Sequence, residues 1–140
     1  MKKLTIIISV LILMNGVYSC NGQENIRSTT QTLHSSNVNV YYFHFTRRCA
    51  TCINVEENAR KAVESLFPEK IKSGEYSFTS LNLDEDTSIE IANKLGVGGQ
   101  SLLIVRGDKK IDITSAAWLA ANDPEKMKVE IKSGIDKILF

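Results

Sequence analysis

From Val38 to Phe45 the chain reads Val-Asn-Val-Tyr-Tyr-Phe-His-Phe, almost all β-branched or aromatic. A strand with one face in water alternates apolar and polar side chains. A nearly continuous apolar run reads instead as a central strand buried on both faces. Such a strand needs a sheet with cover on both sides, and the rest of the chain supplies strands and helices in alternation.

The segment after Ala50 or Thr51, as far as Leu66, places Val55, Ala59, Ala62, Val63 and Leu66 at helical spacing, with Glu56, Glu57, Arg60, Lys61 and Glu64 largely opposite. Pro68 stands just past its end. Tyr76 to Leu83 alternates with period two, as a second strand does. Asp84, Glu85 and Asp86 are capping-competent residues before a short helix, Thr87 to Leu95, stopped by Gly96. Ser101 to Val105 is a third strand. Arg106-Gly107-Asp108-Lys109 is a hairpin turn into a fourth, Lys110 to Thr114. The last helix starts at Asn122-Asp123-Pro124-Glu125, with Asp123 as N-cap and Pro124 at the first helical position. It carries Met127, Ile131, Ile135 and Ile138 to about Leu139. The order β-α-β-α-β-β-α predicts an α/β domain, a mixed sheet covered by helices.

Between the first strand and its helix lies Arg47-Arg48-Cys49-Ala50-Thr51-Cys52. The first turn of a helix leaves N–H groups without intrahelical partners, and the macrodipole adds positive character there. A thiolate at Cys49 is favoured by that field, and the neighbouring Arg47 and Arg48 are expected to lower its pKa further. Cys52 lies three residues on, on nearly the same helix face, within reach of Cys49.

The N-terminus is a separate matter. Lys2 and Lys3 followed by the apolar stretch Leu4 to Met14 make residues 1–19 a signal peptide, too short to span a membrane convincingly. Val17-Tyr18-Ser19-Cys20 resembles a bacterial lipobox, which implies that Cys20 is lipidated and becomes the mature N-terminus, anchoring the protein to a membrane and facing the periplasm or cell exterior. Residues 20–37 are polar and read as a flexible tether to the domain at 38–140, with His34 as a solvated linker residue. Of three cysteines, lipid on Cys20 leaves the pair at 49 and 52, outside the reducing cytosol. With 17 basic and 16 acidic residues there is no electrostatic basis for a nucleic-acid partner.

The Cys-x-x-Cys at the start of the first helix, together with Ile89-Glu90-Ile91-Ala92-Asn93-Lys94-Leu95-Gly96-Val97-Gly98-Gly99-Gln100-Ser101-Leu102-Leu103-Ile104-Val105, resembles the thioredoxin superfamily over residues 38–140. More narrowly, Arg48-Cys49-Ala50-Thr51-Cys52, Gly99 to Ile104 and Asn122-Asp123-Pro124-Glu125-Lys126 resemble the bacterial thioredoxin-like proteins of the nitrophenyl compound nitroreductase subunit ArsF family. The resemblance implies a thioredoxin-like three-layer sandwich with a mixed four-stranded sheet. It also implies a loop at Gln100 and Ser101 facing the cysteines. Thioredoxins carry Trp-Cys-Gly-Pro-Cys, whereas Arg48, Ala50 and Thr51 stand here. Ser101 occupies the position of their cis-proline. A cis bond before a residue other than proline costs roughly 3 kcal/mol, so a trans bond is expected before Ser101.

Three functions fit these residues. In thiol–disulfide exchange, Cys49 attacks a disulfide of a protein or small-molecule partner and Cys52 resolves the mixed disulfide; the ArsF resemblance implies that such a chain would serve as an accessory redox subunit. In a metal or metalloid site, two thiolates would suit Cu(I), Zn(II) or As(III). Few further donors are at hand for a four-ligand zinc centre, and His44 is better read as a hydrogen-bonded core residue. In a binding domain, the pair would be a structural disulfide. No cofactor is expected, since the chain has no Gly-x-Gly-x-x-Gly and no room for a cofactor domain. Trp118 reads as a packing residue, and Asp84 to Asp86 lack calcium-loop spacing.

Overall fold

The computed structural model describes residues 36–140. The expected signal peptide, Cys20 and the expected tether up to residue 35, His34 included, lie outside the described residues.

The apolar run forms β1 (Val38–His44) and lies inside a four-stranded sheet. Its neighbours are β2 (Tyr76–Asn82), parallel, and β3 (Ser101–Arg106), antiparallel; β4 (Lys109–Asp112) closes the order β2-β1-β3-β4. Val38 faces Tyr76 on one side and Arg106 on the other, and Phe43 faces Leu81 and Ser101. The β3–β4 link is a tight hairpin in which Gly107 takes φ 57°, a left-handed conformation open to glycine at little cost.

Both faces of the sheet are covered. Val38, Val40, Tyr42, Leu102 and Ile104 point into the larger core. There they meet α1 (Ala50–Leu66), α4 (Thr114–Leu119) and α5 (Pro124–Leu139) through Val55, Ala59, Val63, Ala117, Met127, Ile131 and Ile135. Tyr41, Phe43, Leu103 and Val105 point the other way, onto Ala92 and Leu95 of α3 (Asp86–Leu95). The alternation along β1 thus sends apolar side chains to two cores. None of the described helices is long and apolar enough to cross a membrane.

Two short helices were absent from the sequence reading. Pro68 does not end structure; it opens α2 (Pro68–Lys72), a position where its missing N–H costs nothing. The fourth strand, expected to reach Thr114, stops at Asp112. The Asp112 carboxylate accepts from the Thr114 amide (2.8 Å), and the Thr114 hydroxyl accepts from the Leu102 amide (3.0 Å). Side chains thus take over hydrogen bonding at the strand's end, and the chain turns into α4. At α3, the acidic run supplies the N-cap, Glu85, and the first-turn Asp86, but Glu85 makes no side-chain cap bond, and Asp84 accepts from the Thr46 amide (2.8 Å). Asp123 does cap α5, accepting from the Lys126 amide (3.0 Å).

Helix α1 is fastened to the α4–α5 link by Asn54, which donates to Asn122 (2.8 Å), and by Asn58, which donates to the Ala121 carbonyl (3.0 Å). Helix α5 packs against β3 at Gly134, where an added Cβ would lie 2.4 Å from the Ile104 Cδ1 atom. Gly134→Val should therefore destabilise the domain by about 2 kcal/mol in urea unfolding, through overpacking. Gly98→Ala, where an added Cβ meets nothing within 4 Å, should stay within about 0.5 kcal/mol of the parent.

Candidate redox site

Helix α1 begins because Cys49 adopts an extended N-cap conformation (φ −82°, ψ 167°) and its carbonyl accepts from the Ile53 amide at 3.2 Å. The Cys49 sulfur is therefore held at the open end of a helix of 17 residues. Cys49 is exposed and Cys52, in the first turn, is 5% exposed; both are free thiols, with their sulfurs 2.9 Å apart.

The Cys49 pKa is lowered. The largest cause is the hydrogen bond from the Cys52 thiol, followed by the backbone amides of Cys52 and Thr51 in the first turn. Neither guanidinium expected to tune it is among the largest of these causes. Arg48 forms an ion pair with Glu56, which Arg60 also holds at 2.9 Å, and Arg47 is exposed in the loop. Burial pushes the Glu56 carboxyl up, but Ser80 and the two guanidiniums outweigh it and keep it below its usual range. The depressed thiol is thus chiefly a property of the helix turn and of Cys52, while Arg48 is paired with Glu56 on α1.

The loop at Gln100 and Ser101 does reach the pair. The Gln100 amide lies 3.7 Å from the Cys52 sulfur through both its oxygen and its nitrogen. Ser101 is buried, but its hydroxyl donates back to the Gly99 carbonyl (3.3 Å) and makes no hydrogen bond to a cysteine. The described peptide bonds are all trans, the one before Ser101 included.

A residue missed in the sequence supports the pair from below. The Tyr42 hydroxyl, buried in β1, donates to the Cys52 carbonyl at 2.9 Å. Burial, then the nearby Cys52 and Glu56, push its pKa well above the ordinary phenol value, so it stays a donor. Its ring lies between His44 (5.7 Å, stacked) and Trp118 (6.1 Å, tilted). Trp118 is therefore a packing residue, as expected. His44 is buried and its Nδ1 donates to the Phe45 carbonyl at 2.9 Å, which makes it a satisfied core histidine. The signal for Tyr42 was a hydroxyl in an otherwise apolar central strand, since a buried phenol needs a partner.

Among the described residues, no cluster of three or more His, Cys, Asp or Glu side chains is arranged to hold a metal ion. Along the Gln100 loop an open groove of about 680 Å³ runs between residues 96–101 and residues 110–116.

The depressed Cys49 pKa gives a signed prediction. The reduced protein gains stability from the thiolate above the ordinary thiol pKa and loses it as pH falls through the lower, folded-state value. The iodoacetamide rate of Cys49 should accordingly rise with a midpoint below the ordinary thiol value of about 8.5. Cys52→Ala should move that midpoint back up, and further than Arg47→Ala does.

No protein-family model matches the chain, and no curated protein matches it.

Proposed function

We propose that this protein carries out thiol–disulfide exchange through Cys49 and Cys52, on a thioredoxin-like domain held at a membrane by lipid on Cys20. One observation carries the reading: an exposed thiol with a lowered pKa stands 2.9 Å from a buried one, in the first turn of a long helix. A disulfide requires the sulfurs to approach to about 2.05 Å, a small movement within one turn. Cys49 is the sulfur a partner can reach, and Cys52 is the one that can reach Cys49. The thiolate of Cys49 attacks a partner disulfide, releasing one partner sulfur. Cys52 then attacks Cys49, forming the Cys49–Cys52 disulfide and releasing the second partner sulfur, so the partner gains the two electrons the pair loses.

The thioredoxin-like arrangement is supported by the order β2-β1-β3-β4 and by the position of the pair, directly after a central strand whose parallel neighbour is β2. The resemblance to the ArsF family adds a role as accessory electron donor, which would suit a chain with a dithiol and no dinucleotide motif. Lipid anchoring rests on Val17-Tyr18-Ser19-Cys20 behind a basic and apolar leader.

The exchange reading is tested by the reduction potential of the pair in the full chain carrying Cys20→Ser, equilibrated in glutathione and dithiothreitol buffers. A reversible couple between roughly −120 and −270 mV is expected. A pair still oxidised below about −300 mV would be a structural disulfide, and exchange would be abandoned. For the anchor, cells fed a clickable fatty acid should label the wild-type protein and leave Cys20→Ser unlabelled. Label on both would remove lipid from Cys20.

A further inference from the structure

We infer that Gln100 is a working partner of the Cys52 sulfur, engaging it both as thiol and as thiolate and so setting how fast Cys52 resolves a mixed disulfide on Cys49. The inference rests on the exchange reading above and deepens it.

The geometry is specific. Gln100 Oε1 and Nε2 both stand 3.7 Å from the Cys52 sulfur. A neutral thiol donates to the oxygen, and a thiolate accepts from the nitrogen. A primary amide offers both functions from one planar head, without titrating itself. Rotating the amide by half a turn exchanges the two atoms and keeps the contact.

Other groups near Cys52 are committed elsewhere. The Tyr42 hydroxyl serves the Cys52 carbonyl, not the sulfur. Glu56, one turn along α1, is held by Arg48 and Arg60. Gln100 and Cys49 are the described side chains hydrogen-bonded to this buried sulfur.

Gln100 is also presented by a fastened loop. Gly96 closes α3 in a left-handed conformation (φ 65°), and the Val97 amide returns to the Ala92 carbonyl at 2.8 Å. The Lys110 ammonium on β4 donates to the Leu95 carbonyl at the same helix end. Just past the loop, the Leu102 amide is taken by Thr114. The loop is thus tied down on both sides of the residue that meets the sulfur.

In the step concerned, Cys49 carries the partner sulfur. The Cys52 thiol gives its proton to solvent, and its sulfur attacks Cys49. The Cys49–partner bond breaks, the Cys49–Cys52 bond forms, and the partner leaves as thiolate. A donor on the Cys52 sulfur as negative charge develops favours this step and leaves the first attack, by Cys49, untouched.

The test uses the full chain carrying Cys20→Ser and the symmetrical aromatic disulfide dithionitrobenzoate. Its two coloured thiolates are released one at a time, by attack and by resolution, and stopped-flow absorbance separates them. Gln100→Glu keeps the shape but only accepts and is negative; Gln100→Met keeps the length and does neither. The second release is expected to slow roughly ten-fold in Gln100→Glu and less in Gln100→Met, with the first release within about two-fold in both. Equal second-release rates in all three proteins, or equal slowing in the two variants, would overturn the assignment. Circular dichroism establishes that both variants fold.

If the parent releases no second thiolate, exchange itself fails, and the Gln100 contact is judged separately. The readout is then the ultraviolet thiolate absorbance of Cys52 in a Cys49→Ser background. Tyr42 from β1 and Glu56 on α1 are the same in every variant. A rise in the onset pH in Gln100→Glu larger than in Gln100→Met supports the contact, and an unchanged onset overturns it.

Discussion

Everything at the cysteine pair depends on the pairing of β1 along both of its edges. A strand hydrogen-bonded to β2 and β3 and buried on both faces has no freedom to slide, because a one-residue slip would exchange its two cores. Its end at His44 is consequently a fixed point. The short link Phe45 to Arg48 then delivers the chain to the N-terminus of α1, and Asp84 and Asn82 hold that link through Thr46. Tyr42 adds a direct strut from the same strand to the first turn. The position of the sulfurs is therefore inherited from the sheet.

Two groups of charges and dipoles lie near the pair. Along α1, Arg48, Glu56 and Arg60 satisfy one another, and Arg60 also lies over the Phe78 ring at 4.7 Å. At the helix mouth, the neighbouring thiol and the first-turn amides act on Cys49. Adjacency in sequence put Arg48 beside Cys49. The i,i+4 spacing of Cys52 and Glu56 instead puts a carboxylate on that same helix face, where a guanidinium finds a stronger partner than a thiolate.

Most of the layout was legible because it is written in long periodic segments. The run from Val38, the helix from Ala50 to Leu66 and the Asp123-Pro124 start of the last helix each carry a period together with an end signal. Helices of five or six residues carry too little of either. Pro68 serves equally as a stop or as a first helical residue, and only the packing of Ile71 against the main core decides. Thr114 looks like a strand residue, yet its hydroxyl substitutes for a backbone partner. At the site, the spacing of the cysteines was readable, whereas the direction of Arg48 and the seat of Tyr42 depend on tertiary contacts no local pattern encodes.

The asparagine ties on α1 have a mechanical consequence. Asn54 and Asn58 clamp the second and third turns to the segment before α5, leaving the stretch from Cys49 to Ile53 as the only part of the helix ahead of the clamp. Movement of the sulfurs toward or away from each other must then be absorbed within that single turn. The clamp works like the jaw of a vice on a short spring, and the Tyr42 strut to the Cys52 carbonyl limits how far that spring can move.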